Sequence, residues 1–273
     1  MEPSVREGEA HLRWLGQASF HLRGTAGSVL IDPFLQPSEH RLVPPPFEPD
    51  AAPLVDAVLV THEHSDHLDA GALRGLAERS PGARFIAPAP IVPQIVAAGV
   101  PETIVAAARP RSALTAGRLR VDAVRAVHAV RAEDGYSDGA EDSDAVRFVG
   151  YVVHLGGVRV YHAGDTIAYP GLTESVAALG CDLALLPING RDFFREQAGI
   201  VGNLSAEEAA EVAIRIGAEA VIPIHYEMFT NNRGDLGRFV ELVRERSETV
   251  CVIVPGHGRP IVYRRSCGHD SSA

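Results

Sequence analysis

AVLVTHEHSDHLDAG, residues 57–71, decides how this chain is read. It opens on Val58 to Val60, a short apolar run of the kind that forms a buried strand. The run then breaks into His62, His64, Asp66 and His67, before a segment of helical character. A strand holds its residues rigidly, so the loop at its carboxyl end can aim several side chains at one point. Three imidazoles and a carboxylate form a borderline ligand set suited to zinc or a similar divalent ion. His62 and His64 are two residues apart and lean to one side of an extended segment, where they can share a metal. Asp66 and His67 fall beyond the turn and suit a second metal nearby. Four residues cannot fill two such sites, so about three more ligands must come from elsewhere in the chain.

Upstream, residues 11–35 read as a hairpin. His11 to Leu22 alternates loosely, Gly24 to Gly27 turns the chain, and SVLIDPF is the second strand. Asp32 ends that strand just before Pro33. It is either a turn-forming residue or a carboxylate that orients a ligating histidine from behind. Residues 36–53 are rich in proline and form a loop able to wall a site, with His40 solvated in it.

Downstream, Asp69 caps a helix over 70–79, ARFIAP is a strand, and a helix near 89–98 is entered through Pro90 and stopped by Gly99. A strand pattern runs from Leu119 to Val130, with His128 near its end. A lone histidine on a strand is usually structural. Here His62 and His64 still need a third partner, so His128 is a ligand candidate. Residues 131–147, with six acids and two arginines, read as a solvated loop or a lid.

The second half repeats the first. GYVVHLGGVRVYHAGDT is a strand, a glycine turn and a strand ending in Gly-Asp, as SFHLRGTAGSVLIDP is a strand, a glycine turn and a strand ending in Asp. Two similar β-rich halves packed face to face, with helices outside, are expected. Asp165 then stands at a strand end and can bridge two metals. His162 can support it from behind, and His154 sits mid-strand as a surface or core side chain. A helix is expected at 172–179. The loop NGRDFFREQAGIVGN follows the strand LALLPI, and its Arg191 and Arg195 are the best anion handle in an acidic chain. SAEEAAEVAIRIG carries a Ser205/Glu208 capping box and ends at Gly217. The strand AVIPIH delivers His225, the last ligand candidate, followed by Tyr226. A helix around Leu236 to Val243, a strand CVIVPGHG with His257 in its glycine loop, a strand PIVY and a frayed tail at 266–273 complete the chain. No linker divides residues 1–273, so a single domain is expected.

Composition sets bounds on function. The chain has 273 residues, 46% hydrophobic and 22% charged, as in ordinary globular proteins. The formal net charge of -10 disfavours nucleic acid as the main partner. No apolar run reaches the roughly 20 residues of a membrane span. The amino terminus lacks the apolar core of a signal peptide, so a cytoplasmic location is expected. Cys181, Cys251 and Cys267 form no C-x-x-C. Cys181 and Cys251 are expected to be reduced core residues.

THEHSDHLD, AVHAV, HAGDT and PIHYE together resemble the metallo-β-lactamase superfamily over roughly residues 11–263. LGQASF, LIDPF, VYHAGDT, NLSAEEAAEVA and VIPIHYEMF look most like its branch of L-ascorbate-6-phosphate lactonase and related metal-dependent hydrolases. The resemblance implies an α/β fold, a four-layer αββα sandwich with a dinuclear site at one edge of the sheets. It implies that His62, His64 and His128 hold one metal, that Asp66, His67 and His225 hold the other, and that Asp165 bridges them. The ions expected are two per chain, Zn2+ or Mn2+, with Fe2+ also admitted by the donor set.

The chemistry expected is hydrolysis by a metal-bound hydroxide, with Asp66 and Asp165 as the catalytic carboxylates. The bond is a lactone or similar carbonyl in a small anionic, sugar-phosphate-like molecule. Arg191, Arg195 and Tyr226 would contact that substrate, with Tyr226 or His257 as an oxyanion donor or proton shuttle. The rival is a phosphodiesterase acting on small phosphodiesters through the same site, and turnover panels separate the two. A redox diiron protein is disfavoured, because such relatives place a glutamate where this chain has His64. A non-catalytic binding module is disfavoured by the complete ligand set. A homo-oligomer remains open.

Overall fold

Two seven-stranded mixed sheets form the framework of the computed structural model, which describes residues 4–128, 145–200 and 202–266. The first contains β1 (Glu9–Gly16), β2 (Ser19–Gly24), β3 (Gly27–Ile31), β4 (Ala57–Leu59), β5 (Arg84–Pro88) and β6 (Val105–Ala108). The last strand, β14 (Pro260–Arg264), returns to pair with β1 at its edge. The second contains β7 (Ala113–Ala116), β8 (Leu119–Arg125), β9 (Val149–His154), β10 (Arg159–His162), β11 (Leu183–Pro187), β12 (Ala220–Ile224) and β13 (Cys251–Val252). Each sheet passes from an antiparallel meander into parallel strands. β3 to β6 are parallel in one, and β10 to β13 in the other. This is the internal repeat seen in the sequence.

Parallel neighbours need crossovers, and helices supply them. α1 (Ala70–Arg79) and α2 (Val92–Ala97) join β4, β5 and β6. α3 (Leu172–Leu179), α5 (Ala206–Arg215) and α6 (Leu236–Arg246) join β10 through β13. A five-residue helix, α4 (Phe193–Gln197), lies in the loop after β11. The layers run helix, sheet, sheet, helix.

Side-chain alternation along the strands decides which layer each residue meets. Val29, Ile31, Ala57, Leu59 and Ile86 face the second sheet and join the large inter-sheet core. Their neighbours Leu30, Val58, Val60, Phe85 and Ala87 face outward, onto Leu73, Leu76 and Ile95 of α1 and α2. Burying one such side chain is worth about 1.5–3 kcal/mol, so a register slip of one residue would be costly. That locks the strand ends, and with them the loops that follow.

Several expectations need correction. The first hairpin strand is two strands, because Gly16 (φ 105) and Gln17 (φ 53) turn the chain between β1 and β2. The Leu119–Val130 pattern stops as a strand at Arg125, where Ala126 turns to bond Phe148 O and Val127 donates to Thr166 Oγ1. The second predicted helix starts as a 3-10 turn, and the α-helix itself spans only Val92–Ala97. In CVIVPGHG only two residues pair, at a sheet edge, so Cys251 is exposed while Cys181 is buried. Cys267, the tail from 267 and the acidic segment 129–144 lie outside the described residues. Among the described residues no helix is long and apolar enough to cross a membrane.

Candidate metal centre

Four loops at one edge of the sheets converge. After β4 the chain makes one last sheet bond, Val60 N–H to Ile86 O, and then leaves the sheet. The amides of His67 and Leu68 both donate to His64 O at 2.9 and 2.8 Å, folding residues 64–68 into a tight turn. Asp69 locks that turn by accepting from Ala72 N at the start of α1 and from Leu35 N and Gln36 N of the neighbouring loop. After β10, Gly164 adopts φ 62 against Thr61, where a Cβ would stand 2.9 Å from both Thr61 Cβ and Val149 O. Only glycine tolerates both the angle and the approach, which brings Asp165 beside the histidine loop. Among the described residues four non-glycines have positive φ, and Gln17, Asp32 and His225 are three of them. Such conformations are sparsely populated and persist where surrounding structure enforces them, commonly at functional sites.

The donors form two groups. His62, His64, His128 and Asp165 make one, and Asp66, His67 and His225 the other, with the donor atoms of each group within 4.8 Å of one another. Asp165 reaches both. Its Oδ2 lies 3.5 Å from His128 Nε2 and 3.3 Å from His225 Nε2, and its Oδ1 lies 3.4 Å from His67 Nε2. Nε2 of His62 and Nδ1 of His64 stand 2.9 Å apart. Phe148 walls the first group, its ring centroid 5.3–6.3 Å from those of His62, His64 and His128.

Asp32 stands behind the ligands and fixes their protons. Fully buried, it accepts from Thr61 N, Thr61 Oγ1 and His67 Nδ1, each at 2.7 Å. Asp32 thereby holds a His67 proton on Nδ1 and aims Nε2 into the site. Thr61 Oγ1 gives its proton to Asp32, so it can only accept from His62 Nδ1 at 3.0 Å, which frees His62 Nε2 in the same way. His162 is locked too. Its Nε2 donates to Ala18 O at 2.7 Å and its Nδ1 accepts from Gly164 N at 3.1 Å, bracing the Asp165 loop against the β1–β2 turn.

The electrostatics are those of a cluster short of positive charge. Burial works against protonating His67, yet Asp165, Asp66 and Asp32 outweigh it and raise its pKa to about 10. Burial lowers His225 as well, and the carboxylates of Asp165 and Asp66 more than offset it. Burial and the neighbouring imidazoles push His62 well down, and burial takes His128 to about 4. Burial opposes ionisation of Asp165, but the charges of His225, His67 and His128 hold it at about 2. Asp66 is held below the carboxylate range against burial, by His67, His225 and Gln17. Meanwhile His67 Nε2, Asp165 Oδ1, His225 Nδ1 and both ring nitrogens of His128 are buried without a hydrogen-bond partner among the described residues. Orphaned buried donors and acceptors are rare, and most of these lie where donor atoms converge. Divalent ions fit this set, because they need neutral imidazole nitrogens and ionised carboxylates and would replace the protons that the carboxylates favour on His67 and His225.

The remaining singled-out residues fall elsewhere. Arg191 sends Nη1 and Nη2 to the two oxygens of Glu208, at 2.7 and 2.6 Å, and Nη1 also to Asn203 O. Arg195 bonds Asp192, Asn189 O and Asn232. Both guanidiniums brace the 189–203 loop with bonds inside the protein. Tyr226 stacks on Trp14 beside His225. His257 stacks on the same indole with its Nε2 2.8 Å from Glu227. His40 is exposed, and His154 pairs with Asp122. Sequence reasoning missed Thr61, Phe148, Arg41 and Gln17. The glycine in WLGQASF is the one local signal that could have revealed the turn carrying Gln17.

Residues 28–226 match the model of the Beta-lactamase superfamily domain. The chain is 33% identical over 246 residues to a UPF0173 metal-dependent hydrolase of Pyrococcus furiosus, an alignment covering 89% of this chain and 96% of that one. It is 32% identical over 252 residues to a UPF0173 metal-dependent hydrolase of Methanoregula boonei, covering 91% and 96%. Of solved structures, Igni18, a metallo hydrolase of Ignicoccus hospitalis, shares the fold with a TM-score of 0.71 at 22% identity, over 94% of this chain and 100% of that one.

Proposed function

The chain belongs to the metallo-β-lactamase superfamily and is a metal-dependent hydrolase of it. From that premise we propose that its seven converging donors hold two divalent ions and that it opens a lactone or similar carbonyl bond in a small anionic molecule. The observation that carries the proposal is the pair of donor groups sharing Asp165, with site-facing atoms such as His67 Nε2 and Asp165 Oδ1 buried and unsatisfied. His62, His64 and His128 would hold one ion, Asp66, His67 and His225 the other, and Asp165 both. The histidine and carboxylate set suits Zn2+ or Mn2+ and also admits Fe2+. Bound there, such ions supply Lewis acidity and lower the pKa of water from 15.7 towards about 7.

The protein's own part is orientation and charge. Asp32 and Thr61 hold His67 and His62 in fixed orientations, each with Nε2 aimed at the other donors. Asp66 and Asp165 stay ionised at neutral pH. His64 and Asp66 are half-buried while the other five donors are buried, so the substrate enters on their side. Tyr226, raised in pKa by burial, stays a protonated phenol able to donate beside His225.

For the anionic group, the handle in this reading is Arg41 of the proline-rich loop. Its Nη1 donates to Phe34 O and its Nε to Val43 O, while Nη2 is buried with no partner among the described residues. That Nη2 lies 3.5 Å from where a Cβ on Gly16 would stand, on the turn that also carries Gln17. Turnover of matched lactone and phosphodiester panels by metal-loaded protein tests the reading. Chelator-sensitive lactone opening, with anionic members preferred, is expected. Turnover of phosphodiesters in preference to lactones would replace it with the phosphodiesterase.

A further inference from the structure

The carboxamide of Gln17 sits between Asp66 and His225. Its Nε2 lies 2.8 Å from Asp66 Oδ2 and 2.9 Å from His225 Nε2, and those two atoms are 3.4 Å apart. An amide nitrogen can only donate, so in that contact His225 Nε2 is the acceptor. An imidazole nitrogen has one lone pair. His225 Nε2 therefore cannot accept from Gln17 and ligate an ion at about 2.0–2.1 Å at the same time.

The backbone of Gln17 cannot give way. It adopts φ 53, and its carbonyl accepts from Trp14 Nε1 at 2.9 Å and from His225 N at 3.3 Å. The turn is thus tied to the segment that carries His225, and only the side chain is left to move. Gln17 is 2% exposed, so its amide cannot swing out to solvent. A buried N–H released from one acceptor needs another. A bound substrate's carbonyl oxygen would supply that acceptor.

We propose that Gln17 is a displaceable stand-in for the second cation. Its carboxamide satisfies Asp66 and His225 in the metal-free protein, yields His225 when the ion binds, and then donates to the substrate oxygen on which negative charge develops. The inference rests on the two-ion reading of the site and adds to it a group that touches the reacting atoms.

The experiment is a Zn2+ titration of metal-free protein labelled with 15N-glutamine, which resolves only four side chains. The Gln17 amide pair, identified by its absence in Gln17→Ala, is expected to shift as Zn2+ is taken up. Gln17→Ala should bind Zn2+ about tenfold more tightly, because a competing hydrogen bond is gone. At saturating Zn2+ its kcat should fall by roughly 100-fold with KM nearly unchanged, the usual effect of losing one oxyanion donor. A group that merely propped the ligands would give the opposite sign, weaker Zn2+ binding in Gln17→Ala, and that result overturns the proposal. An amide pair that stays in place at two equivalents overturns it in the wild-type protein, whether or not the variant folds. Failure of the wild type to take up Zn2+ would remove the two-ion reading as well, so the two failures are distinguishable.

Discussion

Replacing Asp32 tests how the site is held rather than what it binds. Its carboxylate accepts three bonds of 2.7 Å, and Asp32, Thr61 and His67 are all at 0% exposure. Asp32→Ala leaves the Thr61 amide and His67 Nδ1–H buried without acceptors. Breaking a buried charge pair by removing one partner costs about 3–5 kcal/mol. Alanine at φ 45 adds strain of roughly 1–2 kcal/mol, which asparagine largely avoids. Asp32→Asn therefore isolates the lost charge. Both variants free the His67 ring to turn and, through Thr61, loosen His62, so Zn2+ affinity should fall by about 10–100-fold in each. Denaturant titration of the metal-free proteins reads the first effect, and competition with a chromophoric chelator reads the second. If both variants bind Zn2+ as tightly as the parent, Asp32 is a turn residue and the orientation argument is wrong.

Three further outcomes are expected. Arg191→Ala should cost roughly 1–3 kcal/mol of stability through the lost Glu208 pair and leave kcat/KM for an anionic substrate within about threefold; a large catalytic loss with unchanged stability would return Arg191 to the substrate. Arg41→Ala should lower kcat/KM for an anionic substrate by about 10–150-fold and barely affect a neutral ester with the same scissile bond, and equal effects on both would remove the anion handle. Because the folded pKa of His67 is raised to about 10 from its ordinary 6.5, its stabilisation of metal-free protein is complete below about pH 6.5 and is lost as pH rises through 10. Zn2+ uptake should accordingly release at least one proton per chain near pH 7.5 and tighten as pH rises, and calorimetry in buffers of different ionisation enthalpy that finds no release would contradict this.

Much of the fold was legible because it follows from local periodicity. The strand-loop-helix unit around THEHSDHLD, the capping box at Ser205 and the repeated halves all express their structure within a short window. The donor groups were legible because His62, His128, Asp165 and His225 each lie at or just beyond the end of a strand. What escaped depends on distant partners. Nothing near Arg191 shows that Glu208, 17 residues away, takes its guanidinium. Nothing in LGQASF shows that Gln17 meets His225, 208 residues on, because a two-residue turn at positive φ hides inside an otherwise strand-like pattern. Cys251 looked like core because its run is apolar, but β13 is an edge strand of two residues, and edges bury little.

Metal stoichiometry tests the central claim most directly. Native mass spectrometry of protein reconstituted with Zn2+ should show two ions per chain, and Asp165→Asn should lose occupancy and nearly all hydrolysis, because that carboxylate lies within 3.5 Å of donors in both groups. A parent chain that holds no ion under saturating Zn2+, or an Asp165→Asn variant with full occupancy and full turnover, would contradict the account.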